Sequence, residues 1–398
     1  MNLRGSFLLL ALGAGLLAAP GTDSSTETYA QILADYTAAL SAFQRAEKTA
    51  TTPEEKRKTF TERYPHARLY APRFFRVAQR TPDSPDAVEA LAWVISHPVE
   101  LAAPESALRG QALDLLLKQH RKDTRLGRLC TGLVFTIDAD SEKFLREVYA
   151  KAPANATQAR AAASLAHNLK YRARLIRSLS DDAEMRKEYI KTYGKEAIAA
   201  LTERDVTALL RESRKLFTQV RDDFGELKHP THGTLGRLAE THLASIDRPV
   251  RLDEPAPEIS GTDLNGKALK LSDFRGKVVL LDFGGYSISA SHSALEYQRS
   301  LVKRLAGKPF VLLGVSCDPD REKAAKQMAT EGTAWRVWWD GGHVGGPIAT
   351  RWEVDTWPTL YLVDARGVVR NVSLGWPDRK SADETIDEMV AEALKANR

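Results

Sequence analysis

Cysteine is scarce in this chain of 398 residues, which contains only Cys130 and Cys317. Two cysteines so far apart in sequence exclude a Cys-x-x-Cys motif, a framework of several disulfides and a four-cysteine zinc site. The pattern favours two buried, unreactive thiols. A disulfide between Cys130 and Cys317, and a reactive thiol at Cys317, are the two alternatives.

A strong excess of charge of one sign is also lacking, since the formal net charge is +5. No dense run of lysine and arginine interleaved with aromatic residues is present, which argues against a nucleic-acid partner. No cofactor motif is found, and we expect no cofactor and no metal. His229, His232 and His242 have no carboxylate or cysteine that would complete a ligand set, so we predict surface histidines in a helix connection.

Long hydrophobic runs are missing as well. Residues 7–19 form an apolar stretch that is too short to span a bilayer, with Arg4 before it and small residues after it. This arrangement predicts a signal peptide over residues 1–21 and export to the periplasm or the cell exterior. An uncleaved membrane anchor is the lesser alternative, and no span is expected once the signal is removed.

The composition that remains is that of a globular protein, with 43% hydrophobic and 27% charged residues. Residues 22–247 have apolar positions at helical spacing, as in Ile32, Tyr36, Leu40 and Phe43. Helix pairs between residues 72 and 169 begin about 35 residues apart, which predicts an all-α, helical-repeat-like domain. We expect a long helical hairpin over residues 171–224, broken near Gly194, and a proline-rich linker over residues 248–257.

Strands and helices alternate in the last predicted domain, residues 258–398. Apolar runs predict buried strands over 278–283, 310–315 and 360–363, and amphipathic segments predict helices over 291–306, 320–331 and 382–396. Asn265-Gly266 is typical of a two-residue hairpin turn. The chain is therefore expected to combine an N-terminal all-α domain with a C-terminal α/β domain.

The residues of this last domain resemble a known family. The resemblance rests on Glu254-Pro255-Ala256-Pro257, Asp263-Leu264-Asn265-Gly266-Lys267, Arg275-Gly276-Lys277 before the strand 278–283, and Thr356-Trp357-Pro358-Thr359. Residues 254–398 are similar to the TlpA/ResA-like and AhpC/TSA-like redoxins of the thioredoxin superfamily. The resemblance implies a thioredoxin-like fold, thiol–disulfide oxidoreductase activity in the cell envelope, a cis-proline at Pro358 and a buried, proton-relaying acid at Asp282.

The sequence departs from that family where its two cysteines are expected. Counted without gaps, Ile288 and Ser291 occupy those positions. Disulfide exchange needs a thiolate nucleophile, which neither side chain provides. We therefore expect no redox activity at this site, with Pro358 as a vestige of it and Asp282 as either a vestige or an ordinary polar residue at a strand end. The competing hypothesis is an oxidoreductase or antioxidant enzyme that uses Cys317, at the end of a neighbouring strand, or a Cys130–Cys317 pair.

Tryptophan is concentrated near the C-terminus, where six of the seven lie at Trp335, Trp338, Trp339, Trp352, Trp357 and Trp376. Core packing is expected to account for most of them. The other tryptophans are predicted to form an aromatic rim at a peptide groove, because redoxins bind extended peptides beside the cis-proline. The expected binding residues are Tyr286, Ser287, Trp357 and Pro358. The expected partner is a peptide or protein of the cell envelope, and a purely structural module is the alternative.

Overall fold

A computed structural model describes residues 26–97, 106–153, 155–288, 291, 294–341, 345–354, 356–377 and 379–396. The predicted signal peptide, residues 1–21, lies outside this range. The described chain divides into two compact units, one ending at Leu216 and one beginning at Phe217. No helix among the described residues is both long and apolar enough to cross a membrane.

The first unit is helical, which confirms the predicted class of the N-terminal region. Its helices are α1 (Tyr29–Thr49), α2 (Pro53–Arg63), α3 (Ala67–Arg80), α4 (Pro85–Ser96), α5 (Ser106–Gln119), α6 (Leu126–Thr131), α7 (Ala139–Lys151), α8 (Asn155–Asp181), α9 (Ala183–Tyr193), α10 (Lys195–Thr202) and the first part of α11 (Val206–Phe224). That these helices form repeats stays a prediction.

Local sequence explains where several of these helices begin. Thr28 and Thr52 form capping boxes at the starts of α1 and α2, and Ser84 caps α4 just before a proline at its first position. The core then depends on aromatic packing, because the rings of Phe74 and Trp93 stack with centroids 4.4 Å apart. The segments that form these helices therefore also supply the aromatic side chains of the core.

The prediction of one long hairpin over residues 171–224 is wrong. Helix α8 continues to Asp181, and the rest of the segment forms α9, α10 and α11. The predicted break at Gly194 is confirmed. This residue has φ of +88°, which a glycine adopts without the steric cost that a side chain would add.

The second unit begins within α11 and combines helices with strands. Its further elements are β1 (Lys228–His229), β2 (Gly233–Thr234), α12 (Leu235–Asp247), β3 (Ser260–Thr262), β4 (Ala268–Lys270), a 3-10 turn (Leu271–Phe274), β5 (Val278–Gly284), α13 (Leu295–Arg304), β6 (Phe310–Ser316), α14 (Arg321–Thr330), β7 (Arg336–Trp339), α15 (Pro347–Arg351), β8 (Thr359–Val363), β9 (Val369–Leu374) and α16 (Arg379–Ala396).

A five-stranded sheet with the order β7-β6-β5-β8-β9 organises this unit. Strand β5 is central, pairs in parallel with β6 and antiparallel with β8, and is buried along its whole length. One face of the sheet packs on a cluster that includes Phe283, Trp338 and Trp352, and the other face packs on Leu301 and Ile386. This is the predicted thioredoxin-like α/β architecture.

The second compact unit includes more of the chain than the predicted domain of residues 258–398. Helix α12 packs against α15, and Arg351 donates a hydrogen bond to the carbonyl of Arg248. The predicted linker also joins the sheet, because the amides of Asp253 and Ala256 donate to the carbonyls of Val369 and Gly367. Residues 248–257 are therefore packed onto the domain that follows them.

Candidate functional site

The candidate site begins where the central strand ends. Gly284 is the last residue of β5, and the chain then turns through residues 285–288, where Tyr286 is half-buried and Ser287 is exposed. Phe283 pairs with Thr359, so the start of β8 lies beside the end of β5. The sheet therefore places the loop next to Pro358, as the sequence predicted for this fold.

Asp318 holds the loop in place. Its carboxylate accepts hydrogen bonds from the amides of Tyr286 and Ser287 at 3.1 and 2.9 Å and from the hydroxyl of Ser287 at 2.8 Å. The hydroxyl of Ser316 donates to the same group at 2.8 Å. The Tyr286 hydroxyl lies 2.8 Å from that of Thr333, which fixes the ring. Hydrogen bonds to a buried carboxylate are strong, so the loop has a defined conformation.

Ile288 and Ser291, the residues predicted at the two cysteine positions, follow directly. The amide of Ile288 donates to the carbonyl of Gly285 at 3.1 Å, and its side chain is half-buried. Ser291 is 7% exposed, and its hydroxyl has no hydrogen-bond partner among the described residues. Neither position carries a thiol, and a hydroxyl that no described base contacts through a hydrogen bond is a poor nucleophile.

Asp282 lies inside β5 and is buried, as the resemblance implied. Its Oδ2 accepts a hydrogen bond from the Gln298 amide at 2.8 Å, while Oδ1 has no partner within the part of the chain described. Burial raises the pKa of Asp282 to about 7, against the lowering effect of the hydrogen bond from Gln298. Burial therefore favours the protonated form of this carboxyl group.

Pro358 and Trp357 lie on the other side of the loop. The Trp357–Pro358 peptide bond is cis, as the resemblance implied, and Pro358 is buried. Trp357 is half-buried and packs against the core, with its ring 6.1 Å from that of Phe283. Trp338 and Trp352 are fully buried, so those two belong to the core and not to a surface rim.

The two cysteines are free thiols, and the disulfide considered between them is not formed in this structure. Cys130 is fully buried and Cys317 is 4% exposed. Burial raises the pKa of Cys317 to about 12, with a further contribution from the negative charge of Asp318. Burial also raises the pKa of Cys130. Both therefore remain protonated at neutral pH, and a thiol reacts far more slowly than a thiolate.

The prediction of surface histidines is wrong for two of the three. His232 and His242 are 5% and 1% exposed, because the β1–β2 hairpin and α12 pack inside the second unit. Burial lowers the pKa of His232 to about 3, with the neighbouring His229 adding to the effect. No group of histidine, cysteine and acidic residues within the described ranges could hold a metal ion.

Comparison with known proteins finds a family match in the C-terminal domain. Residues 252–372 match the AhpC/TSA family. The match covers the loop, Asp282, Cys317 and Pro358, and it confirms the resemblance to redoxins that the sequence indicated for the C-terminal domain. The helical unit, which ends at Leu216, lies outside the matched residues.

Proteins of similar sequence are consistent with this family match. The chain is 25% identical over 159 residues to the thiol-disulfide oxidoreductase ResA of Bacillus cereus, an alignment that covers 40% of this chain and 90% of ResA. It is 25% identical over 134 residues to the thioredoxin-like protein YneN of Bacillus subtilis, covering 34% of this chain and 78% of YneN. Protein DipZ of Mycobacterium bovis is 24% identical over 205 residues, covering 48% of this chain but 28% of DipZ.

Solved structures similar to this chain include two from Bacteroides. The thioredoxin domain of a thiol-disulfide oxidoreductase from Bacteroides vulgatus has 25% identity and a TM-score of 0.32, covering 35% of this chain and 99% of its own. A thiol-disulfide oxidoreductase from Bacteroides fragilis has 23% identity and a TM-score of 0.31, and the match covers 33% of this chain and 99% of the other chain.

Asp318 and Gln298 are site residues that sequence reasoning missed. Asp318 bonds to residues 31 and 32 positions earlier, and Gln298 reaches Asp282 from α13, which is 16 positions later. Only the folded sheet brings these groups together. The one available signal was an acidic residue, Asp318, two positions after the strand that ends beside the loop.

Proposed function

We propose that this chain is an exported, redox-inactive redoxin whose C-terminal domain binds an extended peptide or a protein of the cell envelope. The observation that carries the proposal is the loop after β5, which keeps a defined conformation through Asp318. Counted without gaps against the family pattern, this loop has Ile288 and Ser291 at the positions expected for the two cysteines. Export is inferred from the N-terminal apolar stretch, residues 7–19, and from the positive charge that precedes it.

The proposed binding surface consists of Tyr286, Ser287, Trp357 and Pro358. Its support is the pairing of Phe283 with Thr359, which sets the fixed loop beside the proline, and the exposure of Ser287. An extended peptide would be bound through backbone hydrogen bonds, and Trp357 would add apolar contact area. The rigid loop lowers the entropic cost of binding, because little of it has to be ordered.

Loss of redox chemistry is tested by insulin reduction with dithiothreitol. We expect the wild type to match a Cys130→Ser, Cys317→Ser double variant, since both thiols are buried and protonated. Faster turnover by the wild type, abolished by Cys317→Ser alone, would replace this proposal with the oxidoreductase alternative.

Binding is tested with extended peptides selected from a display library against the full chain. Trp357→Ala should weaken their binding by roughly 1–3 kcal/mol, the cost of removing an aromatic anchor. Trp376→Ala is the matched control, because Trp376 is also half-buried but packs on the opposite face of the sheet. Equal loss of affinity in both variants, in parallel with loss of thermal stability, would favour a purely structural module.

A further inference from the structure

Helices α2 and α3 of the helical unit carry a strong excess of positive charge. Residues 56–80, which we call the α2–α3 surface, contain eight lysines and arginines and one acidic residue, Glu62. The two other acids of α2, Glu54 and Glu55, lie in its first turn, where Glu55 completes the capping box. The basic residues are spaced along two helices and do not form a continuous run, so the fold brings them into one region.

Most of these basic side chains face solvent. Six of them are exposed and form no ion pair within the described residues, namely Lys56, Arg57, Lys58, Arg63, Arg68 and Arg76. Arg73 differs, because it pairs with Glu27 and Asp35. Like charges on neighbouring helical turns repel each other. The α2–α3 surface would therefore be stabilised by an anionic partner.

Two large apolar side chains are exposed in the same region. Phe60 is 50% exposed and Leu69 is 58% exposed, more than any other large apolar side chain described in the helical unit. The Phe60 ring lies 5.8 Å from that of His66, and the Leu69 amide donates to the carbonyl of His66 at 2.9 Å. Both residues thus adjoin His66, where the two helices meet. Phe60 also stacks on Tyr64 with ring centroids 4.8 Å apart, which fixes its position.

Helix α3 also holds the start of the described chain. The Arg73 guanidinium contacts the Glu27 carboxylate at 2.5 Å, and Arg80 donates to the carbonyl of Glu27. The apolar stretch of residues 7–19 precedes Glu27 closely in the sequence. The segment predicted to direct export to or across a membrane therefore leads directly into the part of the chain that α3 holds.

We propose that the α2–α3 surface docks the protein on an anionic lipid bilayer. Exposed phenylalanine and leucine side chains among lysines and arginines are typical of helices that lie at a membrane interface. The cations would contact lipid phosphates, and Phe60 and Leu69 would enter the boundary between headgroups and acyl chains. Nucleic acid would attract the cations but offers no such apolar layer. The inference goes beyond the proposed function, shares only export with it and does not depend on peptide binding.

Sedimentation with lipid vesicles tests the proposal. The chain without its predicted signal peptide, residues 22–398, retains every described residue and excludes any contribution of the apolar stretch. We expect it to bind vesicles of equal parts phosphatidylglycerol and phosphatidylcholine at least about tenfold more tightly than phosphatidylcholine alone. Added salt should weaken this binding, because it screens exposed charges. Equal binding to both kinds of vesicle, or binding to neither, would overturn the inference.

Two double variants locate the charged part of the surface. Arg63→Gln with Arg68→Gln should weaken binding to the anionic vesicles at least about tenfold, because each basic residue near an anionic membrane contributes to the attraction. Lys118→Gln with Arg121→Gln is the matched control, since it removes the same charge from other exposed residues of the helical unit. Equal losses in the two double variants would show attraction by net charge alone and would overturn the inference.

The apolar part separates a bilayer from a soluble acidic partner. Leu69→Ser should weaken vesicle binding at least about threefold and leave binding to soluble polyglutamate unchanged. Leu394→Ser is the matched control, because Leu394 is 43% exposed but lies on α16 in the second unit, and it should change neither. Tighter binding to polyglutamate than to the anionic vesicles, with no effect of Leu69→Ser on either, would overturn the inference in favour of an acidic protein.

A fluorescent label reports contact with the bilayer directly. A fluorophore sensitive to its surroundings, attached to Leu69→Cys, should shift its emission to shorter wavelengths when anionic vesicles are added. Cys130 and Cys317 are buried, so labelling is confined to the introduced thiol. The same label on Leu394→Cys should not shift. Equal shifts at the two positions, or a shift at Leu394→Cys alone, would place the membrane contact elsewhere and overturn the inference.

Discussion

Asp318 and Asp282 are buried carboxylates on neighbouring strand ends, yet their hydrogen bonding differs sharply. Asp318 accepts from two amides and two serine hydroxyls, and Asp282 accepts only from the Gln298 amide among the described residues. The first side chain therefore stabilises the loop, and the second keeps a buried oxygen without a hydrogen bond in the described part of the chain. Both roles depend on burial, because exposed carboxylates would be solvated by water instead.

Asp318→Ala should destabilise the second unit by roughly 3 kcal/mol. The substitution leaves the amides of Tyr286 and Ser287 and the buried hydroxyl of Ser316 without their acceptor, and unsatisfied buried donors are costly. The measurement is urea unfolding followed by tryptophan fluorescence. Asp320→Ala is the control, since Asp320 only caps α14 and its loss should cost about 1 kcal/mol. Equal effects of the two substitutions would contradict the importance assigned to Asp318.

Asp282→Asn should change how stability depends on pH. The pKa of Asp282 is raised to about 7 in the folded state, above its ordinary value. Its favourable contribution is therefore fully present below about pH 4 and is lost as the pH rises through 7. The wild type should lose up to about 4 kcal/mol relative to Asp282→Asn across that range. Parallel pH profiles of unfolding free energy would contradict this expectation.

At the residue scale, sequence predicted the positions that belong to a family pattern. Asp282 and Pro358 are where the pattern places them, and the proline is cis. The sequence could not predict the partners of Asp318 or the unpartnered atoms at Asp282 and Ser291. Those features depend on distances between strand ends that no local signal encodes.

At the scale of elements, apolar runs predicted the central strands within one residue of their bounds. The helix predicted over residues 291–306 is described as α13 over Leu295–Arg304, and Ser291 is also helical. The helical unit was predicted in class, but the length of α8 was not predicted. Helix α8 extends through Lys170 and Arg172, which are buried. Arg172 forms an ion pair with Glu142, and a pattern of apolar residues does not predict such buried charges.

The loop after β5 can be tested as an element by restoring its thiols. Ile288→Cys with Ser291→Cys should form a disulfide on mild oxidation, because the two positions are three apart in one short connection. Mass spectrometry should show the loss of two hydrogens relative to the reduced protein. The Ile288→Cys single variant serves as the control and should remain alkylatable. Absence of the disulfide in a folded double variant would mean that these are not the family's cysteine positions.

At the scale of the whole molecule, the chain consists of two compact units, and the second begins well before the predicted linker. A fragment of residues 217–398 should therefore melt at least about 5 °C above a fragment of residues 258–398. The shorter fragment lacks α12, which packs against α15, and it lacks the hydrogen bonds of Asp253 and Ala256 to the sheet. Calorimetry of both fragments gives the comparison, and equal melting temperatures would contradict it.

The segment around Asp253 and Ala256 has one more consequence. Strand β9 is an outer strand of the sheet, and Val372 and Leu374 on it are 41% and 53% exposed. Hydrogen bonds from residues 253–256 occupy the backbone at Val369 and Gly367 beside its first residues. Unpaired outer strands recruit strands from other molecules. Proteolysis within this segment would thus expose unpaired backbone groups of the outer strand, and we expect the cleaved protein to aggregate more readily.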